Sequence, residues 1–370
     1  MEINDLIYLV SCAVNEERPD PERVASMDLD ALYGLASEHM LAAAAAPALE
    51  EAGVKDERFV RAGHNSFYRN LTMDMDMEDL FSKMSAEGIW HMPLKGIVLQ
   101  HLYPQYGMRQ MSDHDILFDA SRAENVRSIM EGMGFNTKEF GTGHHDVYFK
   151  EPVSFFEMHK ALFGRRHDKK LYEYYGDIEK KLLGDGLEKH FSPEDFYIYM
   201  IAHEYKHYWG SGTGLRSLLD TYVFLQKNSL DMAYVAGEAE KLGIGEFEVR
   251  NRSLAQHLFS GRDLTEDERA MLKYVLDSGV YGTDDHRLEN AIPEQGWGKL
   301  LYVLKRFFVP VSRKNPDYTA FSLMYPFFYR HKLLLPFLPF YRIFQAVRSG
   351  RLIVEAKAVI NKKIPSDRAE

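Results

Sequence analysis

Over the first 85 residues, apolar positions recur at three- and four-residue spacing between acidic ones, the period of amphipathic helices. Ala42–Ala46 is a strong helix-forming run, expected to stop near Pro47. The helical pattern continues over Asp76–Glu87 and breaks at a turn around Gly88. There the texture shortens. IWHMPL reads as a short buried strand, followed by a glycine turn at Gly96 and a helical stretch to about Leu102. HDILF (His114–Phe118) alternates as a strand does, and Arg122–Met133 is an amphipathic helix ending at Gly134. DVYFK and SFFEMH flank Glu151-Pro152 as the arms of a hairpin. Strand, helix, strand, helix and hairpin between about 88 and 162 make a compact α/β unit.

Helical texture returns after Asp168. Ser192–Asp195 (SPED) starts a helix, with Ser192 as cap, Pro at N1 and acids in the first turn. That helix is expected to reach about Trp209 and stop in GSGTG; another contains Leu215–Leu225.

The charge is unevenly placed. The 370 residues sum to −10, yet Lys299–Lys363 holds thirteen Lys/Arg against Asp317 and Glu355, a local +11 that leaves −21 elsewhere. This stretch is also aromatic, as in YPFFYRHKLLLPFLPFYRIF. Basic residues interleaved with aromatics suit an anionic membrane surface, RNA or an acidic protein face; packing against the chain's own acidic body is the alternative. The single cysteine, Cys12, excludes an intrachain disulfide framework and a Cys-rich zinc module. The acidic start lacks a signal peptide's basic region, and no apolar run approaches the roughly 18–20 residues of a membrane span. The expected location is the cytoplasm, with the inner membrane face as a peripheral docking surface. Sequence-specific DNA binding is not expected.

Asp113 and Asp115 are one residue apart, so on a strand both carboxylates project from the same face. Two such charges raise one pKa unless a cation lies between them, and Mg²⁺ prefers hard oxygen ligands together with substrate phosphates. Glu157 in SFFEMH supplies a third strand acid, with His159 on its face. Lys95-Gly96, ahead of a helix, offers an ammonium and backbone N–H groups to a phosphate chain. Arg109, four residues before Asp113, is placed to neutralise charge.

PLKGIVLQHLYPQYGMRQMSDHDILF, followed by a helix and the MGFN turn, resembles an uncharacterised family of bacterial nucleotidyltransferase-like proteins. Its members carry Leu-Lys-Gly, Tyr-Pro, Arg and then Asp-Ile-Asp-Leu. FEMH is similar to the family's acid-x-His strand, and HEYKHYW and LRSLLD (Leu215–Asp220) to its downstream helices. ASEHMLAAAAAPAL and the basic Tyr/Pro-rich tail also fit. Two departures stand out: Ile97 follows Gly96 where the wider superfamily has Ser or Gly, and His114 replaces an aliphatic residue. The resemblance implies an α+β fold, a small mixed sheet with amino-terminal helices and a large carboxy-terminal helical region. It implies a nucleotidyltransferase holding Mg²⁺ (or Mn²⁺) on Asp113, Asp115 and Glu157. Lys95, Gly96, Arg109 and Ser112 would meet the nucleoside triphosphate, with His159, His203, Lys206, His207, Arg216 and Asp220 behind them. The acceptor hydroxyl stays unassigned. The expected divisions are 1–87, helical; 88–165, the α/β core; 166–298, helical; and 299–370, the basic aromatic tail.

Two other readings stay open. His203-Glu204-Tyr205-Lys206-His207 spells H-E-x-x-H, whose histidines share a helix face and can bind Zn²⁺ with the glutamate as base. The position where a longer pattern wants the next ligand is Thr213, which is not one. A non-catalytic scaffold docking through the basic tail is the other. His144-His145, in a Gly-rich turn, is expected to be exposed.

Overall fold

The computed structural model describes residues 2–165, 169–210, 212–279, 309, 311 and 318–348. Four helices open the chain: α1 (Glu2–Asn15), α2 (Pro21–Ala25), α3 (Leu29–Glu38) and α4 (Ala42–Glu51). They lead into the 30-residue α5 (Glu57–Ala86). Asp20, Asp28 and Asp56 cap α2, α3 and α5, each accepting hydrogen bonds from first-turn amides. Pro47 does not stop α4 as the sequence suggested. Its missing N–H costs the helix one internal bond, and Ala48 and Leu49 beyond it are buried.

The sheet follows: β1 (His91–Pro93), α6 (Gly96–Leu99), β2 (His114–Phe118), α7 (Ala123–Gly132), β3 (Asn136–Glu139), β4 (His145–Lys150) and β5 (Ser154–His159). The strand order is β1-β2-β5-β4-β3, with β2 and β5 parallel and the other pairs antiparallel. The α+β architecture is the expected one. β3 was not legible in advance: the mostly exposed Asn-Thr-Lys-Glu segment has no apolar alternation and is ordered by pairing with β4.

The two sheet faces have opposite chemistry, separated by strand parity. Ile116 and Phe118 of β2, Tyr148 of β4, and Phe156 and Met158 of β5 join a buried cluster with α5 (Met73, Leu80, Met84) and α7 (Val126, Ile129, Met130). The alternate residues Asp115, His145, Glu157 and His159 therefore rise from the other face. His114 belongs to the buried side. Its Nε2 lies 2.8 Å from Asp74 Oδ1, and the same carboxylate accepts from Tyr106 Oη at 2.6 Å and Gln100 Nε2 at 3.0 Å. Two residues on, Asp76 accepts from Lys150 Nζ at 2.6 Å and Ser154 Oγ at 2.5 Å. Through these two carboxylates α5 fixes the hairpin, the loop before β2 and the register of β2.

After the sheet come α8 (Lys169–Tyr174), α9 (Pro193–Gly210), α10 (Leu215–Lys227), α11 (Met232–Leu242), α12 (Gly245–Phe259) and α13 (Glu266–Ser278). Ser192 Oγ accepts from the Asp195 amide at 3.1 Å, as SPED implied. Tyr222 donates to Asn15 at 2.6 Å, and Asn15 donates to the Phe259 carbonyl at 2.9 Å, joining α1 to α10 and α12. One compact unit therefore comprises Met1–Lys206 and Thr213–Val280.

Of the second unit, helices at Tyr318–Met324, Pro326–Arg330 and Leu338–Arg348 are described, with a 3-10 turn at Lys332–Phe337. They close on Tyr329, Leu335 and Leu338 and leave Phe327, Leu333, Phe337, Phe340 and Phe344 exposed. Nine of the thirteen Lys/Arg of the basic stretch Lys299–Lys363 lie outside the described residues. Among the described residues no helix is long and apolar enough to cross a membrane.

Candidate active site

Asp115 is the centre of the polar face. In the parallel ladder it pairs in register with Glu157, so two carboxylates distant in sequence rise side by side. Its Oδ1 accepts from His159 Nε2 at 2.7 Å, and its Oδ2 lies 3.2 Å from Lys95 Nζ. The Leu94 amide donates to the Asp115 carbonyl at 2.9 Å, which anchors the Lys95 turn beside this carboxylate. Lys95 itself has φ +40°, a backbone conformation that L-residues rarely adopt and that the surrounding contacts must hold.

Gly96 is needed for a steric reason. A Cβ there would come within 2.5 Å of Arg109 Nη1 and 2.6 Å of Met111 Cε. The Arg109 guanidinium is in turn forked onto Asp220 of α10, with Nε–Oδ1 at 2.8 Å and Nη2–Oδ2 at 2.7 Å. Tyr103 Oη donates to the same carboxylate at 2.8 Å. Arg109 thus sits under the turn as a buried, paired cation rather than as an open phosphate ligand. Arg216, one turn before Asp220, donates from Nη1 to the Gln110 carbonyl at 2.8 Å. The Ser112 carbonyl accepts from Arg69 Nη1 at 3.2 Å. Together these bonds shape the loop that delivers Asp113, which lies just before β2 rather than within it.

The electrostatics are divided between the two aspartates. Burial raises the Asp113 pKa and the charge of Asp115 raises it further, against the pull of Lys95, Arg216 and Arg109. Burial opposes ionisation of Asp115 too, but the Lys95 ammonium and the His159 hydrogen bond outweigh it and hold that pKa well below the usual range. Glu157 is raised, first by burial and then by Asp115 and Asp113. Burial is thus the first cause of both raised values, and the neighbouring carboxylates add to it.

Ligand atoms of Asp115, Glu157 and His159 lie within 4.8 Å of one another, as do those of His144, His145 and His159. Neither set includes His203 or His207. Glu204, the would-be zinc-hydrolase base, is buried and accepts from Asn251 Nδ2 at 2.9 Å.

The expectation that His144 and His145 are exposed is corrected. Both are partly buried, and His145 starts β4 opposite His159. The signal was available, because counting back from Lys150↔Ser154 across the hairpin pairs His145 with His159.

Comparison with known proteins shows the family. The model of a family described as uncharacterised nucleotidyltransferase matches residues 25–260, and the chain belongs to that family. A curated relative, the 1,4-alpha-glucan branching enzyme GlgB of Bacillus cytotoxicus, is 25% identical over 210 residues. That stretch covers 53% of this chain and 32% of the enzyme, so the chain spans about a third of that relative's length. No solved structure matches.

Proposed function

We propose that this protein transfers a nucleotidyl group from a nucleoside triphosphate to an acceptor hydroxyl, with Mg²⁺ or Mn²⁺ held by Asp113, Asp115 and Glu157. The observation that carries the reading is the register pairing of Asp115 with Glu157, beside a third carboxylate raised by burial and like charge. Such a cluster fits a hard divalent cation, which relieves the repulsion. The bound ion would supply Lewis-acid stabilisation of the phosphate oxygens.

The chain's own residues account for the rest. Lys95 holds an ammonium at the edge of the carboxylates, where it can offset phosphate charge. Arg109 and Arg216 add positive potential from below while remaining bonded to Asp220 and Gln110. Glu157 would either complete the metal site or, where the two aspartates alone hold the ion, act as the general base that takes the acceptor's hydroxyl proton. The new bond joins acceptor oxygen to the α-phosphorus, and the α–β phosphoanhydride bond breaks to release pyrophosphate.

Thermal unfolding with each of the four nucleoside triphosphates and Mg²⁺ tests the reading. A ligand raises the transition temperature of the state it binds, so at least one triphosphate should protect wild type in a Mg²⁺-dependent way. Asp113→Asn should keep its circular dichroism spectrum and release no pyrophosphate; unchanged turnover would refute the assignment.

The second unit supports an accessory reading. Phe327, Phe337, Phe340 and Phe344 are exposed in a segment that also carries Arg330, Lys332 and Arg342. Exposed aromatics among cations suit an anionic membrane surface. Salt-sensitive sedimentation with phosphatidylserine vesicles, absent with phosphatidylcholine alone, is the expected result.

A further inference from the structure

We propose that His144, His145 and His159 form a binding site for a borderline divalent cation of the zinc class, set beside the carboxylates. The inference does not depend on which nucleotide or acceptor is used. Three separate features of the chain build it.

The first is placement by backbone pairing. His145 and His159 are register partners across the β4–β5 ladder, so their imidazoles rise together, with ring centroids 5.1 Å apart. His144 is tied down by its carbonyl, which accepts from the Lys160 amide at 2.7 Å and the Ala161 amide at 3.2 Å. Its ring lies 4.6 Å from that of His145 and 5.7 Å from that of His159. Gly164 leaves room for it: a Cβ there would come within 3.1 Å of His144 Nδ1.

The second is an unused donor atom. His159 is 3% exposed, and its Nε2 is committed to the Asp115 carboxylate at 2.7 Å. A carboxylate only accepts, so Nε2 carries the hydrogen and a neutral ring has its lone pair on Nδ1. That Nδ1 is buried with no hydrogen-bond partner. A histidine that gives one ring N–H to a carboxylate and points the other nitrogen at a metal is the usual arrangement behind zinc ligands, the carboxylate fixing tautomer and ring.

The third is spacing. His144 Nε2 and His145 Nδ1 are 3.4 Å apart. Two nitrogens bound at about 2.0–2.1 Å to a tetrahedral ion are separated by about 3.3–3.4 Å. Imidazole suits zinc-class ions, whereas Mg²⁺ favours the carboxylates, so one pocket can sort two metals by ligand softness. Three histidines leave a fourth position for an exogenous oxygen ligand.

The test is isothermal titration of the full chain, stripped with chelator, with Zn²⁺ alone and again in millimolar Mg²⁺. One Zn²⁺ per chain is expected, undisplaced by Mg²⁺, with binding at least about tenfold weaker in His144→Ala and in His145→Ala. Co²⁺ in wild type, which needs no variant, should show the visible bands of a nitrogen-rich four- or five-coordinate site. Equal Zn²⁺ affinity in wild type and both variants, displacement by Mg²⁺, or an octahedral oxygen-type Co²⁺ spectrum would each overturn the proposal. Loss of Zn²⁺ binding in the variants while triphosphate and Mg²⁺ still protect Asp113-intact protein separates this site from the nucleotide reading.

Discussion

Arg109 and Asp220 close a two-pronged ion pair across 111 residues, with both side chains 8% exposed and Tyr103 Oη on the same carboxylate. The pair joins the loop before β2 to α10, and so joins the sheet to the helices that follow it. It lies beneath the Lys95–Gly96 turn. The position of the candidate phosphate contact therefore depends on a carboxylate in a different part of the chain.

Removing one partner of such a buried pair leaves the other charge uncompensated, which costs about 3–5 kcal/mol. Asp220→Ala is expected to lose that much in urea unfolding. A loss below 1 kcal/mol, roughly what a surface pair contributes, would show that the contact is not structural.

Gly96→Ala tests the steric floor of the site. The Arg109 guanidinium cannot retreat without leaving Asp220, so the added methyl should cost about 1–3 kcal/mol. The Lys95 turn should shift, and nucleotide protection should fall with stability. Wild-type stability in this variant would show that Met111 and Arg109 yield freely.

Glu204 gives a pH signature away from the site. Burial raises its pKa to about 7, against an unfolded value of 4.5, although Asn251 donates to it. Between those values the folded chain binds more protons than the unfolded one, so stability falls as pH rises through the window. The full penalty, on the order of 3 kcal/mol, is present above pH 7 and absent below about 4.5. Glu204→Gln keeps an acceptor for Asn251 and removes the ionisation. Chemical denaturation should show the variant gaining on wild type from pH 5 to pH 8; parallel curves would contradict the burial of the charge.

Lys95→Ala withdraws the ammonium beside Asp115, leaving the carboxylates to repel one another. The apo protein should lose about 1 kcal/mol or more, and millimolar Mg²⁺ should restore more of it than Mg²⁺ adds to wild type. An equal Mg²⁺ response in both proteins would count against metal binding at these acids.

Much of this protein was written in local sequence. Periodicity set α7 and the helical regions, alternation set β2 and β5, and Asp-x-Asp, Lys-Gly and Glu-x-His marked the acids and cation of the polar face. The resemblance carried by those motifs led to the family. Local pattern misled where tertiary packing overrode it: α4 runs through Pro47 because buried residues follow, and β3 forms because β4 offers it an edge. Only the folded chain decided which charges meet. Arg109 turns to Asp220, His114 to Asp74, and His144 and His145 to His159, all through contacts between distant segments. Spacing along a chain fixes the face a side chain occupies; the partner on that face is set by strand register and helix packing, which no single segment encodes.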